Sequence, residues 1–426
     1  MTTNNALHAM IEHVGYPLSR RDMLRSASAG FGMLALAGLS SFAAAADSTN
    51  PLVAKPPHFP ARAKRVIFMC MQGAPSHVDT FDYKPQLKRD HGQPGRYGGQ
   101  LLGPQWEFKQ RGESGLWISD LFPEVARHAD DLCLINSMHC DQPVHPAAQT
   151  QMHTGTAQFV RPSLGAWTLY GLGTENDSVP GFISLAAPPG SSRNFGSAFL
   201  PAIYAGTSVG RPNRGQRANL GQVAGAMAGG RQNRPSIPDI RNPRLTSAQQ
   251  RSQLELIQAL NREKLARHDQ HPEVEGMIES YELAFRMQDN LPALMDTSDE
   301  TAETLALYGA EAGPTAPFGQ QCLMARRFVE AGVRFVEITN GGWDHHRNLS
   351  QELPDSCDKI DKPIAGLLED LKRRDLLKDT LVIWGGEFGR TPAAQGGNGR
   401  DHNNKGYSPW MAGGGVRDRL LPAAPA

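Results

Sequence analysis

The sequence has no excess of charge: 43 Lys and Arg stand against 43 Asp and Glu in 426 residues. That balance removes the electrostatic case for nucleic acid or an anionic membrane as a partner. The basic run Arg211 to Arg217 is too short to restore it. Five cysteines (Cys70, Cys133, Cys140, Cys322, Cys357) form no CxxC pair, which argues against a structural zinc knot. An odd count leaves at least one thiol unpaired, and buried thiols are the expectation. There is no Walker-type phosphate loop, no GxSxG elbow and no repeat at a solenoid period. Past the first 46 residues no apolar run is long enough to span a bilayer.

What is present begins at the N-terminus. Ser19-Arg20-Arg21-Asp22-Met23-Leu24-Arg25 carries a twin arginine, followed by a mild Gly/Ala-rich run from Ala27 to Phe42 and the small residues Ala44-Ala45-Ala46. Residues 1–46 therefore read as a twin-arginine signal peptide. The expected partner is the twin-arginine export machinery, and the expected location is periplasmic or secreted.

The rest, 47–426, is long enough for one large α/β domain. Arg65 to Gln72, RVIFMCMQ, is a continuous apolar strand, as are Val333 to Thr339 and Leu381 to Trp384. Shorter strands are expected at Leu132 to Ser137, Gly181 to Leu185 and Phe199 to Ala205. Helices are expected at Leu121 to His128, Pro146 to Met152, Ser247 to Arg286 with a break near Pro272, Glu300 to Tyr308, Phe318 to Ala331 and Cys357 to Arg373. Residues 86–116 read as an irregular excursion, and about 187–300 as a helical and irregular insertion. Unbroken apolar strands alternating with helices predict a mostly parallel sheet covered on both faces.

Three of the strands end in loops that carry chemistry. GAPSHVDTFDYKP, from Gly73, holds Asp79; GGWDHHRNL, from Gly341, holds Asp344, His345 and His346; GGEFGRTP, from Gly385, holds Glu387 and Arg390, and leads to Asp401 and His402. His139, His145 and His153 crowd one further stretch. Loops at the C-terminal ends of parallel strands converge on one edge of the sheet. Carboxylates mixed with imidazoles suit a divalent metal: zinc, calcium, magnesium or manganese.

The motifs GAPSHVDTFDYKP, HPAAQTQMHTG, GGWDHHRNL and GGEFGRTP…GRDHN, in this order after a twin-arginine leader, resemble the domain-of-unknown-function family 1501, in the alkaline phosphatase and sulfatase superfamily. The resemblance spans about residues 50 to 415. It implies an alkaline phosphatase-like α/β fold with the metal ligands Asp79, Asp344, His346, Glu387, Asp401 and His402, the last but one as ligand or beside the ligands. His145 falls on the superfamily's nucleophile position, where Ser, Thr or Cys is expected, so it is read as nucleophile, acid/base group or anion-binding group. Phe388 stands where a histidine ligand is expected. Arg390 and His345 are assigned to substrate. The chain ends at RLLPAAPA, shorter than the resemblance implies, so a terminal element is expected to be missing. The function implied is an exported metal-dependent hydrolase of phosphate or sulfate esters, with a small-molecule or glycan ester as substrate. The alternatives are a non-catalytic binding protein for sulfated or phosphorylated glycans, or an inactive truncated member.

Overall fold

The computed structural model describes residues 51–96, 98–188, 190–210, 244–266 and 272–416. The twin-arginine leader, part of the expected insertion and the last ten residues lie outside them. The sheet and the helices around it belong to the compact unit that begins at Leu52.

The first expected strand forms over its whole predicted length. β1 spans Arg65–Gln72. In chain order come β2 (Phe108–Arg111), β3 (Leu116–Ser119), β4 (Leu132–Leu134), β5 (Phe182–Leu185), β6 (Thr207–Val209), β7 (Phe335–Gly341), β8 (Thr380–Gly385), β9 (Gly389–Ala394), β10 (Arg400–Asn403) and β11 (Trp410–Gly413). Seven strands make one sheet in the order β4-β11-β8-β1-β7-β5-β6. β8, β1, β7, β5 and β6 run parallel, whereas β11 lies antiparallel between β8 and β4. The expected mostly parallel sheet is thus found, with the three chemistry-bearing strands β8, β1 and β7 side by side at its centre.

β1 shows why the sheet is covered on both sides. Ile67, Met69 and Met71 enter one apolar cluster, with Phe328, Val329, Leu367 and Leu368. Phe68 and Cys70 enter a second, with Leu169, Phe182, Tyr204 and Phe335. Alternate side chains point to opposite faces, so an unbroken apolar run needs a cover on each. Burying each such side chain contributes on the order of 1.5–3 kcal/mol. All five cysteines are free and buried.

The helices include α1 (His77–Thr80), α2 (His145–Thr154), α3 (Leu164–Leu172), α4 (Ser247–Ala266), α5 (Pro272–Met295), α6 (Ala316–Glu330), α7 (Leu349–Asp358) and α8 (Asp361–Arg373). α8 buries Ile364, Leu367, Leu368 and Leu371, one stripe at helical spacing, and carries Lys372 and Arg373 in its last turn, where the helix dipole favours cations. α6 packs beside α8, and Arg326 ties the two. Its buried guanidinium meets Glu300 at 2.5 Å, Glu330 at 2.7 Å and Asp370 at 3.0 Å.

Several local expectations are corrected. The segment 357–373 is not one helix; α7 ends at Asp358 and α8 starts at Asp361. The stretch 199–205 holds a 3-10 turn at Ala202–Tyr204, and the edge strand lies just after it at β6. The helix expected at 121–128 is a 3-10 segment at Val125–Asp131. The excursion 86–116 contains β2, whose hairpin partner β3 follows. α4 ends at Ala266 and α5 starts at Pro272; residues 267–271, where the break near Pro272 is expected, lie outside the described ones. No helix among the described residues is long and apolar enough to cross a membrane.

Candidate metal centre

β1, β7 and β8 are in register at their C-terminal ends: Cys70 lies opposite Thr339 on one side and Gly385 on the other. Their loops therefore leave the sheet together. Gly73, at φ +107°, makes the first close approach. A Cβ there would lie 2.8 Å from the backbone nitrogen of Asp344. Only glycine takes that conformation and leaves that space. The N–H of Gly73 donates to Glu387 Oε1 at 3.0 Å, tying the β1 and β8 loops.

Four residues from three segments meet beyond this point. His145, Asp344, His346 and His402 each offer one ligating atom, and these atoms all lie within 4.8 Å of one another. Asp344 Oδ1 is the common vertex. It lies 3.2 Å from His145 Nε2, 2.9 Å from His346 Nε2 and 3.4 Å from His402 Nε2. The Nε2 atoms of His346 and His402 are 2.9 Å apart.

The outer nitrogen of every ring is already engaged. His145 Nδ1 meets Glu387 Oε1 at 2.5 Å, His402 Nδ1 meets the Pro143 carbonyl at 2.7 Å, and His346 Nδ1 meets Gln395 Oε1. Each of these partners is an oxygen acceptor, so each Nδ1 carries the proton. The tautomers follow from those partners. Three Nε2 lone pairs then face one another and a carboxylate. Such a set repels itself unless a cation or shared protons lie at its centre. An outward N–H bound to oxygen is also how ligating histidines are held in proteins. A tetrahedron with bonds of ~2.0 Å has edges of ~3.3 Å, close to the four separations just given, and the other two lie within 4.8 Å. The residues fit a divalent metal.

Aromatic and charged neighbours hold the rings in place. Phe388 fills the position where the resemblance implied a histidine ligand. Its ring packs on His145 at 4.8 Å and on His402 at 4.7 Å. Glu387 is fully buried and also accepts from Gln149 Nε2 at 3.2 Å. Burial disfavours the charged form of His145, but the bond and charge of Glu387 outweigh it and raise its pKa. A proton and a metal therefore compete for His145 Nε2. Burial likewise opposes ionisation of Asp344, yet Arg390 and His145 prevail and hold its carboxyl down at about 2. Burial, with His145, Arg390 and His346 nearby, keeps the pKa of His402 low.

The remaining residues singled out in the sequence lie elsewhere. Asp79 is not in the group. It sits in α1, fully buried, with its carboxylate gripped by Arg400 at 2.6 and 3.1 Å and by Ser76 Oγ at 2.5 Å. Glu387 stands one bond further out, orienting His145. Asp401 is exposed, with Oδ1 3.8 Å from His346 Nδ1. Arg390 is 1% exposed and donates to the carbonyls of Ala74 (2.9 Å), Arg400 (3.2 Å) and Gly73, and to Asp344 Oδ1 (2.6 Å). It is a girder under Asp344, not an open clamp for substrate. His345 turns away from its neighbour's ring; it is buried, with Nε2 3.3 Å from Ser356 Oγ. His145, read as a nucleophile or acid/base group, contributes Nε2 to the group itself. Gln395, Gln149, Phe388 and Arg400 were not singled out as site residues. The first two carry no sequence signal, and only their contacts show what they do.

Two buried imidazoles make stability depend on pH. Burial lowers the pKa of both His77 and His345 to about 4. In the unfolded chain each protonates near 6.5, so their contribution is full above that value and is lost as pH falls toward 4. Each therefore costs about 2 kcal/mol of stability between pH 7 and pH 5. Asp361, raised by burial to about 6, acts with the opposite sign over pH 4 to 6. The measurement is thus a difference: urea unfolding of wild type and His345→Gln at both pH values. The variant is expected to lose about 2 kcal/mol less on acidification. An equal loss in both proteins refutes the assignment.

The sequence matches the family model described as Protein of unknown function (DUF1501) over residues 63–419. No curated protein matches it. Among solved structures it is similar to alkaline phosphatase from the Antarctic bacterium TAB5, at 12% identity and TM-score 0.31, covering 82% of this chain and 92% of that one. It is also similar to PsFucS1 sulfatase from Pseudoalteromonas sp., at 13% identity and TM-score 0.32, covering 84% of this chain and 63% of that one. A third is BT33494S-sulf from Bacteroides thetaiotaomicron, at 12% identity and TM-score 0.30, covering 84% and 68%. With the family model matched across most of its length, the chain belongs to the DUF1501 family.

Proposed function

We propose that this protein is a metal-dependent hydrolase of phosphate or sulfate esters, with zinc as the metal. The observation that carries the reading is the convergence of three Nδ1-locked imidazoles on Asp344 Oδ1 at the C-terminal edge of a parallel sheet. Three imidazoles and one carboxylate favour zinc over calcium and magnesium, which prefer oxygen ligands throughout. When bound, the metal supplies Lewis acidity toward an ester oxygen and toward water. The chain's own residues do the rest. Glu387, Gln395 and the Pro143 carbonyl hold the proton on Nδ1 of each ring and so keep Nε2 free. Arg390 fixes Asp344 and keeps it ionised. The twin-arginine leader makes export to the periplasm or beyond part of the same proposal, with a small-molecule or glycan ester as substrate.

The test is direct. Purified protein is stripped with chelator, reloaded with zinc, and assayed against aryl phosphates and aryl sulfates. About one zinc per chain and turnover that returns only on reloading are expected. Zinc uptake without turnover of any ester favours the glycan-binding alternative. No zinc uptake refutes the centre.

A further inference from the structure

We propose that the buried pair His153–Glu337 is a positioning element that sets the orientation of His145, an inference that rests on reading His145 as a residue that holds the metal. α2 presents His145, Gln149 and His153 at positions i, i+4 and i+8, one face of the helix. His145 and Gln149 hydrogen-bond to the loop after β8 and to β1, and His153 pairs with β7 by charge. His153 is 3% exposed and lies with Nε2 3.3 Å from Oε1 of Glu337, itself 2% exposed in β7. His153 Nδ1 meets the carbonyl of Gln149 at 2.7 Å. The Gln149 amide accepts from Gln72 Nε2 at 2.9 Å and donates to Glu387 Oε1 at 3.2 Å. Glu387 in turn holds His145 Nδ1. These contacts thus run from the core of the sheet to the metal-facing ring, joined at Gln149, whose backbone carbonyl meets His153 and whose side-chain amide meets Glu387.

Packing alone does not call for these two residues here. Phe68 packs its ring 5.6 Å from that of His153, and Phe182 and Phe335 line the same cluster. Apolar side chains would fill this space, and a buried ion pair is often no more stabilising than an apolar pair of equal volume. What an apolar pair lacks is direction. The His153–Glu337 contact fixes the rotation of α2 about its own axis. A small rotation there would carry Gln149 off Glu387 and swing His145 Nε2 away from Asp344 Oδ1. Neither residue touches the reacting atoms; both act through Gln149 and Glu387.

The experiment replaces the pair by apolar residues, His153→Leu with Glu337→Met, in the full chain. Melting temperature, zinc affinity by chelator competition and the visible spectrum of the cobalt-loaded protein are compared with wild type. The expected result is a cooperative melt near that of wild type, with zinc affinity lowered about 10–100-fold and an altered cobalt spectrum. Wild-type affinity and spectrum in the variant overturn the inference, since the pair would then be packing only. Should the double variant not fold, Glu337→Gln keeps the shape and weakens the tie; reduced affinity supports the inference, and unchanged affinity overturns it. Wild-type protein that takes up no zinc overturns the metal-centre reading, and this inference with it.

Discussion

Asp344→Ala is expected to abolish measurable zinc binding while leaving the fold intact, and with it any ester turnover. Asp344 Oδ1 is the atom on which all three Nε2 atoms converge, at 2.9 to 3.4 Å. It also supplies the only negative charge in the four-residue group. Removing it leaves three rings with no carboxylate among them and frees the Arg390 guanidinium, now unpaired with a carboxylate, beside the site. Both changes disfavour a cation. Loss of an outer partner of a ligand costs about 10–100-fold in affinity, so loss of the ligand itself should exceed 100-fold. Asp344 is 44% exposed and Arg390 keeps its bonds to the carbonyls of Ala74, Arg400 and Gly73, so the stability cost is small by comparison. Asp401→Ala supplies the contrast. Its carboxylate is exposed, lies 3.8 Å from the outer nitrogen of His346 and accepts from the backbone N–H of His402 at 2.8 Å, but faces no ligating atom, so affinity should change by a few-fold at most. Chelator competition on the two variants decides the matter. Zinc affinity unaffected by Asp344→Ala, or equally damaged by Asp401→Ala, would show that the ligands are not the ones assigned.

These two carboxylates show how far the sequence could be read. The long apolar strands announced themselves, since Arg65 to Gln72 and Leu381 to Trp384 have no reading but a doubly covered strand. The polar loops after them were legible for the same reason: the acids and imidazoles begin where the apolar run stops. Direction was not legible. His345 and His346 are adjacent and chemically identical, yet one is buried against Ser356 and the other faces Asp344. Which of the two turns inward is settled by α7, whose Ser356 receives the first, and by Gln395, which receives the second. Nothing in the hexapeptide Gly341 to His346 encodes that. Glu387 looked like a ligand because it follows a strand, and it lies one bond short because α2 delivers His145 in front of it. The strand β11 was missed because Trp410–Gly413 is short and runs into three glycines. β9 and β10 were missed because RTPAAQGGNGRDHN holds no large apolar residue. Their hairpin is held by side chains rather than by an apolar face, and Arg400 is the chief of them.

Arg400→Met is expected to be the most destabilising single change near the site. The Asp79–Arg400 pair is 0% exposed on both sides. Arg400 also donates to the carbonyls of Leu102 at 2.9 Å, Thr391 at 3.0 Å and Pro392 at 3.3 Å. It thereby pins the β9–β10 hairpin, which carries His402, to the loop that follows β1. Among the described residues, its loss leaves the buried Asp79 carboxylate with Ser76 Oγ alone as a side-chain partner. Breaking a buried pair in this way costs about 3–5 kcal/mol, a large share of the 5–15 kcal/mol that typically holds a fold. The prediction also separates the two readings of Asp79. If Asp79 were a metal ligand, Asp79→Ala would lower zinc affinity and leave the melt of metal-free protein nearly unchanged. If it is the partner of Arg400, Asp79→Ala lowers the melt of metal-free protein much as Arg400→Met does. The double variant Asp79→Leu with Arg400→Met then recovers part of the loss, because neither charge is left buried alone. Thermal unfolding of the three variants in chelator measures this. Additive losses in the double variant would place the two side chains in separate environments and break the pair on which the hairpin, and His402 with it, depends.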